Sequence, residues 1–201
     1  MQQADTTPDF CGAYHTCCME PPKEGHKSPQ LVEPKCGTRN PSGISPRILT
    51  PGSAKSESEF GEWPWMAAIL KLENGIHIFQ CGATLIDDQH VITVAHCVSK
   101  SSSYTPHSSY SLVARLGEWD TQQESEVIPH DDYRVTNVII HPDFMNQSLW
   151  NDIAILKLEK TVQMKQNINP VCLPSMTDRF EGKMCTITGW GKNAYRKLRK
   201  K

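Results

Sequence analysis

At 201 residues with 38% hydrophobic side chains, the chain is long enough for one large domain, or for a small domain beside a medium one, and it can fill a core. A formal net charge of -1 and a pI near 6.7 exclude a general electrostatic drive towards nucleic acid or an anionic membrane surface. No apolar stretch approaches the roughly 18–20 residues of a membrane-spanning helix, so neither a membrane nor a nucleic acid is an expected partner.

The first 62 residues are rich in Pro, Gly, Ser and charge, with few alternating apolar runs. Four of the eight cysteines, Cys11, Cys17, Cys18 and Cys36, fall in this stretch; the others are Cys81, Cys97, Cys172 and Cys185. Eight is too many for an ordinary cytosolic domain, and the spacings lack the paired CxxC pattern of a zinc site. The set therefore points to an oxidising compartment. The expected organisation is a cysteine-rich segment over 1–36, a linker over 37–62 with the solvated run Lys55-Ser56-Glu57-Ser58-Glu59, and a larger domain over 63–201. The opening MQQADTTPDF has neither the basic nor the apolar region of an export signal. With such cysteines, this implies an N-terminus that is missing or a signal already removed.

From Trp63 the pattern changes to short β-type runs separated by turns: WMAAILKL, HIFQCGATLI, SLVARLGEW, YRVTNVIIH, DIAILKL and MCTITGW. Their spacing predicts an all-β antiparallel barrel or sandwich. ATLIDDQHVITVAHCV has room for one short helix around Ala95 to Val98, and nothing else has the length and period of an amphipathic helix. Asn146-Gln147-Ser148 is an acceptor sequon for N-glycosylation, which agrees with secretion. The last six residues carry five basic side chains; a solvated tail is the simpler reading beside a nuclear or heparin-binding one.

Two segments carry chemistry. In Thr93-Val94-Ala95-His96-Cys97, preceded by Cys81-Gly82 after a strand, a cysteine able to bond to the preceding strand pins the backbone of His96. That suits a general base, whose ring must sit within about 3 Å of its partners, although an ordinary partly buried histidine fits the same residues. In Asn151-Asp152-Ile153-Ala154-Ile155-Leu156 a carboxylate opens an otherwise apolar strand. Burying it is costly unless it is paired. An imidazole N–H is a fitting partner, since the carboxylate then fixes the tautomer; an Asp capping a turn at a strand end is the other reading. Nothing suggests a metal or an organic cofactor: the eight histidines are scattered, and His130 with Asp131-Asp132 reads as a polar loop.

His96 followed by Asp152 matches the chain order of a chymotrypsin-type triad. With FGEWPWMAAI, CGATLI, TVAHC, NDIAIL, VCLP and TGWGK in order, the segment from Phe60 to Lys192 resembles the trypsin-like (S1) serine proteases. The resemblance implies a chymotrypsin-like fold, here the first barrel plus the opening strand of the second around Met184 to Trp190. It narrows to arthropod clip-domain proteins through CGTRNPSG, LGEWDTQ, IPHDDYRVTNVIIHPDF and NINPVCLP, which look like the non-catalytic branch, the serine protease homologues. That branch, with glycine in place of the usual nucleophile, implies a secreted cofactor or regulator in haemolymph cascades such as prophenoloxidase activation and melanisation. Its partners would be cascade proteases, their zymogens or prophenoloxidase.

The family takes its nucleophile and oxyanion hole from a GDSGG loop downstream of TGWGK, and no such loop occurs in these 201 residues. After Asp152 the only serine is Ser175, in the connector between barrels, so the chain as written is not expected to cleave peptides. Arg47-Ile48-Leu49-Thr50 only partly resembles the family's activating cleavage site Arg-Ile-Val-Gly-Gly. By resemblance Cys81 bonds to Cys97 and Cys36 to Cys172, while Cys185 normally bonds further along, and Cys11, Cys17 and Cys18 resemble the last three of six clip-domain cysteines. The expectation is a chain truncated at both ends, with a natural two-bridge form as the alternative. The competing function is a fragment of an active trypsin-like endopeptidase.

Overall fold

The computed structural model describes residues 35–44, 58–99, 111–121 and 126–191. Cys11, Cys17, Cys18, the Arg47-Ile48 bond and the basic tail lie outside them. Six strands run β1 Met66–Glu73, β2 Ile76–Leu85, β3 His90–Thr93, β4 Ser111–Leu116, β5 Asp131–Ile140 and β6 Ala154–Leu158, with one helical turn, α1 Ala95–Val98, after β3. All pairings are antiparallel and close in the order β1-β2-β3-β6-β5-β4. The all-β antiparallel barrel read from the sequence holds, and α1 falls where the short helix was expected.

Alternation explains the barrel. Leu112, Ala114 and Leu116 of β4, Tyr133 and Val135 of β5, and Ala154, Leu156 and Leu158 of β6 point inwards and meet Ile69, Leu85 and Val91 in one core. The β1–β2 turn is Asn74-Gly75, both at positive φ (51° and 79°), the conformation whose twist suits a two-residue hairpin. At the next turn Asp87 accepts hydrogen bonds from the amides of Gln89 and His90, both at 2.7 Å, and from the His90 ring. β3 has only four residues, too few for its alternation to stand out, and sequence reasoning passed over it.

β1 differs because Ala67 to Leu70 are buried on both faces. Ala68 and Leu70 join Val113 in a small cluster outside the barrel wall, covered by Trp190. Trp190 packs edge-on against Phe79, and its Nε1 donates to the Trp119 carbonyl at 3.0 Å. One expected strand needs correction: Met184–Trp190 forms no ladder among the described residues. A strand needs a hydrogen-bonded neighbour, and here only Thr188 and Trp190 reach the barrel, while Met184 and Ile187 stand 99% and 97% exposed.

The segment after β6 closes one end of the barrel. Ile168 is fully buried, and Asn167 donates through Nδ2 to the carbonyls of Gly117 (3.2 Å) and Ile128 (3.4 Å). The Val171 amide donates to the Leu85 carbonyl at 2.9 Å, and Gly37 N–H to the Pro170 carbonyl at 2.8 Å. Cys36 is bonded to Cys172, with Cα atoms 4.9 Å apart across a sequence separation of 136. Beside this bridge Arg39 pairs with the buried Glu62 and lies 4.0 Å over the Trp63 ring.

Candidate active site

Strand β3 delivers the chain to α1, where two fastenings fix it. Thr93 Oγ1 donates to the Gly82 carbonyl of β2 at 2.8 Å, and Cys97 is bonded to Cys81 of β2 with Cα atoms 6.3 Å apart. His96 lies between these anchors, so its ring has a defined origin.

Asp152 arrives from the other side, on the loop that leads into β6. The loop is closed by the paired Met145 and Trp150 and by the His141 amide donating to the Ile153 carbonyl at 3.1 Å. Asn151, at φ 53, donates through Nδ2 to the Asp143 carbonyl at 3.1 Å. Asn146 sits exposed in this loop.

The two residues meet twice. His96 Nδ1 lies 2.7 Å from Asp152 Oδ2, and the His96 amide donates to Oδ1 at 2.8 Å. The His96 side chain is 47% exposed and that of Asp152 15%. Desolvation pushes the Asp152 carboxyl up, but hydrogen bonds from the His96 ring and from the amides of His96 and Ala95, with the imidazole's charge, hold it below the ordinary aspartate value. An ionised carboxylate only accepts hydrogen bonds, so the proton between them belongs on Nδ1 and the lone pair on Nε2. An imidazole oriented in this way has the Nε2 lone pair available for proton transfer.

Cys97 Sγ lies 3.6 Å from Nε2, but as a disulfide sulfur it carries no proton to donate to the Nε2 lone pair. Ser175 is placed elsewhere: its amide donates to Asp178 Oδ2 at 2.7 Å and its hydroxyl faces Thr177 Oγ1 at 2.9 Å, the arrangement of a local turn. Beside Asp152 an open cavity of about 540 Å³ is lined by Trp65, Met66, Gly82, Val94, Ile153 and Thr188, among others.

Two side-chain sets bring potential ligand atoms together among the described residues. His130 Nδ1 lies 3.2 Å from Glu118 Oε2 and 4.0 Å from Glu126 Oε2, so its neighbours include Glu118 beyond the end of β4 and Glu126 four residues before it, as well as the adjacent Asp131-Asp132. Burial, then the hydrogen bond and charge of Glu126, push the Glu118 carboxyl up to about 7 against the pull of Arg115. The oxygen-rich character suits a hard cation. Sequence reasoning missed Glu118 and Glu126; the available signal was a carboxylate following the apolar β4 run. In the other set, Cys81, His96 and Cys97, the two sulfurs are bonded to each other and offer no thiolate.

Comparison with known proteins places this geometry. The sequence profile of the family described as Trypsin matches residues 54–201. The chain is 39% identical over 172 residues to phenoloxidase-activating factor 2 of Galleria mellonella, covering 81% of this chain and 54% of that protein. It is 35% identical over 201 residues to the inactive CLIP domain-containing serine protease A28 of Anopheles gambiae, covering 92% and 50%, and 36% identical over 186 residues to the proclotting enzyme of Tachypleus tridentatus, covering 90% and 46%. The chain thus spans about half the length of these relatives. Among solved structures it is similar to the Drosophila Grass clip serine protease of the Toll pathway, with TM-score 0.54 and 25% identity over 72% of this chain and 40% of that one.

Proposed function

The chain belongs to the trypsin family of serine proteases, and from that membership we propose that it is a clip-domain serine protease homologue of the non-catalytic kind. In this reading it is secreted and acts as cofactor or regulator in an extracellular proteolytic cascade of innate immunity, such as prophenoloxidase activation and melanisation. The supporting observation is that three of the similar relatives, A28, A8 and A3, are named inactive CLIP domain-containing serine proteases. The family profile matches residues 54–201, whereas the likeness to the inactive protease A28 covers 92% of the chain and so extends into the cysteine-rich start. A relative named for phenoloxidase activation supports the kind of cascade, and the two disulfides support an extracellular setting.

In this role His96 and Asp152 are a structural pair. Their two hydrogen bonds fasten α1 to the loop before β6 and hold the rim of the cavity, and the protease fold serves as a binding surface for active proteases, zymogens or prophenoloxidase. The complete protein, used as bait against the purified proteases and prophenoloxidase of such a cascade, is expected to retain at least one of them. Retention of none would count against the reading. Glycosylation at Asn146 and cleavage at Arg47-Ile48 belong to the same proposal, and a glycosidase mass shift and N-terminal sequencing of the secreted protein check them.

The His96–Asp152 geometry favours a second reading, an active trypsin-like endopeptidase, because a base oriented at 2.7 Å is what acyl transfer needs. There His96 Nε2 would take the proton of a serine hydroxyl and return it to the leaving amine. The coding sequence downstream of Trp190-Gly191-Lys192 separates the two: a GDSGG loop favours the enzyme, a GDGGS-like loop the homologue. Labelling of the full-length protein by an active-site phosphonylating reagent is expected to fail for the homologue and to succeed for the enzyme.

A further inference from the structure

The loop leading to Asp152 leaves three large apolar side chains in water. Met145, Leu149 and Trp150 are 57%, 50% and 69% exposed, yet the loop that bears them is a closed turn. Met145 and Trp150 pair as antiparallel partners; the Met145 amide donates to the Trp150 carbonyl at 3.0 Å and the Leu149 amide to the Met145 carbonyl at 2.8 Å. Leu149 holds φ at 56, a left-handed backbone that is uncommon for a bulky residue. The turn is therefore a fixed platform whose apolar side chains stay outside, and clustered exposed apolar groups mark a surface that something covers.

The same turn carries the sequon Asn146-Gln147-Ser148, with Asn146 exposed. We propose that the first N-acetylglucosamine of a glycan on Asn146 packs its C–H face on the Trp150 indole, so that this chain's own modification covers the patch. The proposal rests on the glycosylation of Asn146 given above.

Reach and chemistry both favour this occupant. Opposed residues of an antiparallel pair have Cα atoms about 4.5–5.5 Å apart and successive Cα atoms are about 3.8 Å apart, so Asn146 Cα lies within about 9 Å of Trp150 Cα. Two side chains with one pyranose ring between them span that separation. The face of an indole is the negative pole of its quadrupole, and the axial C–H bonds of the sugar present weakly positive hydrogens to it while the hydroxyls stay in water. A second copy or another protein must find the patch by diffusion. The sugar is tethered four residues away and loses little further freedom on docking.

Attachment requires an oligosaccharide donor linked to a lipid diphosphate. Asn146 Nδ2 attacks C1 of the donor sugar, a C–N bond replaces the C–O bond to diphosphate, Nδ2 loses one proton, and the lipid diphosphate leaves. Met145 and Trp150 close the two ends of the turn, and Asp152 follows two residues on. The docked sugar therefore braces the segment that presents Asp152 Oδ2 to His96.

The test uses the full-length protein secreted from a eukaryotic host and trimmed by an endoglycosidase to one N-acetylglucosamine. It is compared with Ser148→Ala, which keeps Asn146 but ends the sequon. Both are made with Trp150, Trp150→Phe and Trp150→Ala; an indole 69% exposed is not needed to fold the barrel. The expected result is a mass increment of one sugar on the peptide containing Asn146 and a melting temperature about 2–4 °C higher with the sugar than without it. The gain should shrink in Trp150→Phe and vanish in Trp150→Ala. Acrylamide should quench tryptophan fluorescence less when the sugar is present, and equally with and without it in Trp150→Ala. An unmodified Asn146 would overturn this proposal together with the glycosylation it rests on. A modified Asn146 whose sugar raises the melting temperature equally in Trp150→Ala, or not at all in the parent, would overturn the packing alone. So would self-association of the trimmed protein that Trp150→Ala abolishes, since the patch would then belong to a second copy.

Discussion

Gly117 shows how little freedom single positions have. Its φ is +77, and a Cβ there would stand 2.6 Å from Asn167 Nδ2 and 3.0 Å from Ile168 Cγ1, in the plug that closes the barrel. Gly117→Ala should therefore destabilise by about 1–3 kcal/mol or more, read as a lower urea midpoint, because the positive φ and the overlap act together. Asp152 gives the pH-dependent case. Its carboxyl is held below the ordinary value of 3.8, so it stabilises the fold above that value and the contribution is lost as the pH falls through the lowered folded value. Melting temperatures measured from pH 6 downwards should fall more steeply below about pH 4 in the parent than in Asp152→Asn, which has no charge to lose. Equal slopes would mean that the His96 contacts do not distinguish the ionised carboxyl.

At the scale of elements, the outer face of β1 is the unusual feature. A strand at a barrel wall ordinarily turns alternate side chains to solvent, but Ala68 and Leu70 are buried because Trp190 crosses them. Trp190→Ala should destabilise by about 1.5–3 kcal/mol and raise binding of an apolar dye, since Phe79, already 47% exposed, loses its ring partner. An unchanged denaturation midpoint would show that the Met184–Trp190 segment contributes nothing to the barrel. The same elements show where pattern reading succeeds. β1, β2, β4, β5 and β6 were legible because each has five or more residues of β-type apolar pattern, whereas β3 has four. Met184–Trp190 reads as a strand by composition, but strand formation depends on a neighbour and not on its own residues.

For the whole molecule, the two disulfides act on different lengths of chain. Cys81–Cys97 closes a separation of 16, and Cys36–Cys172 one of 136. Chain-entropy reasoning gives about 3 kcal/mol for the short loop and about 5 kcal/mol for the long one, so Cys36→Ser/Cys172→Ser should lower the urea midpoint more than Cys81→Ser/Cys97→Ser. The reverse order would show that the short bridge acts through the site it braces. Peptide mass mapping of the unreduced protein checks both pairings. The sequence by itself determined the all-β class, with the barrel implied by the trypsin-like resemblance, the turn at Ala95–Val98 and the His96 and Asp152 candidates, because alternation and motif spacing are local properties of the chain. Only the tertiary structure decided that those two side chains meet at 2.7 Å, that His130 faces Glu118, and that Trp190 covers the outside of β1. Each of these contacts joins residues on separate elements, and their distance is fixed by barrel closure and the packing of loops against it, which no single stretch of chain encodes.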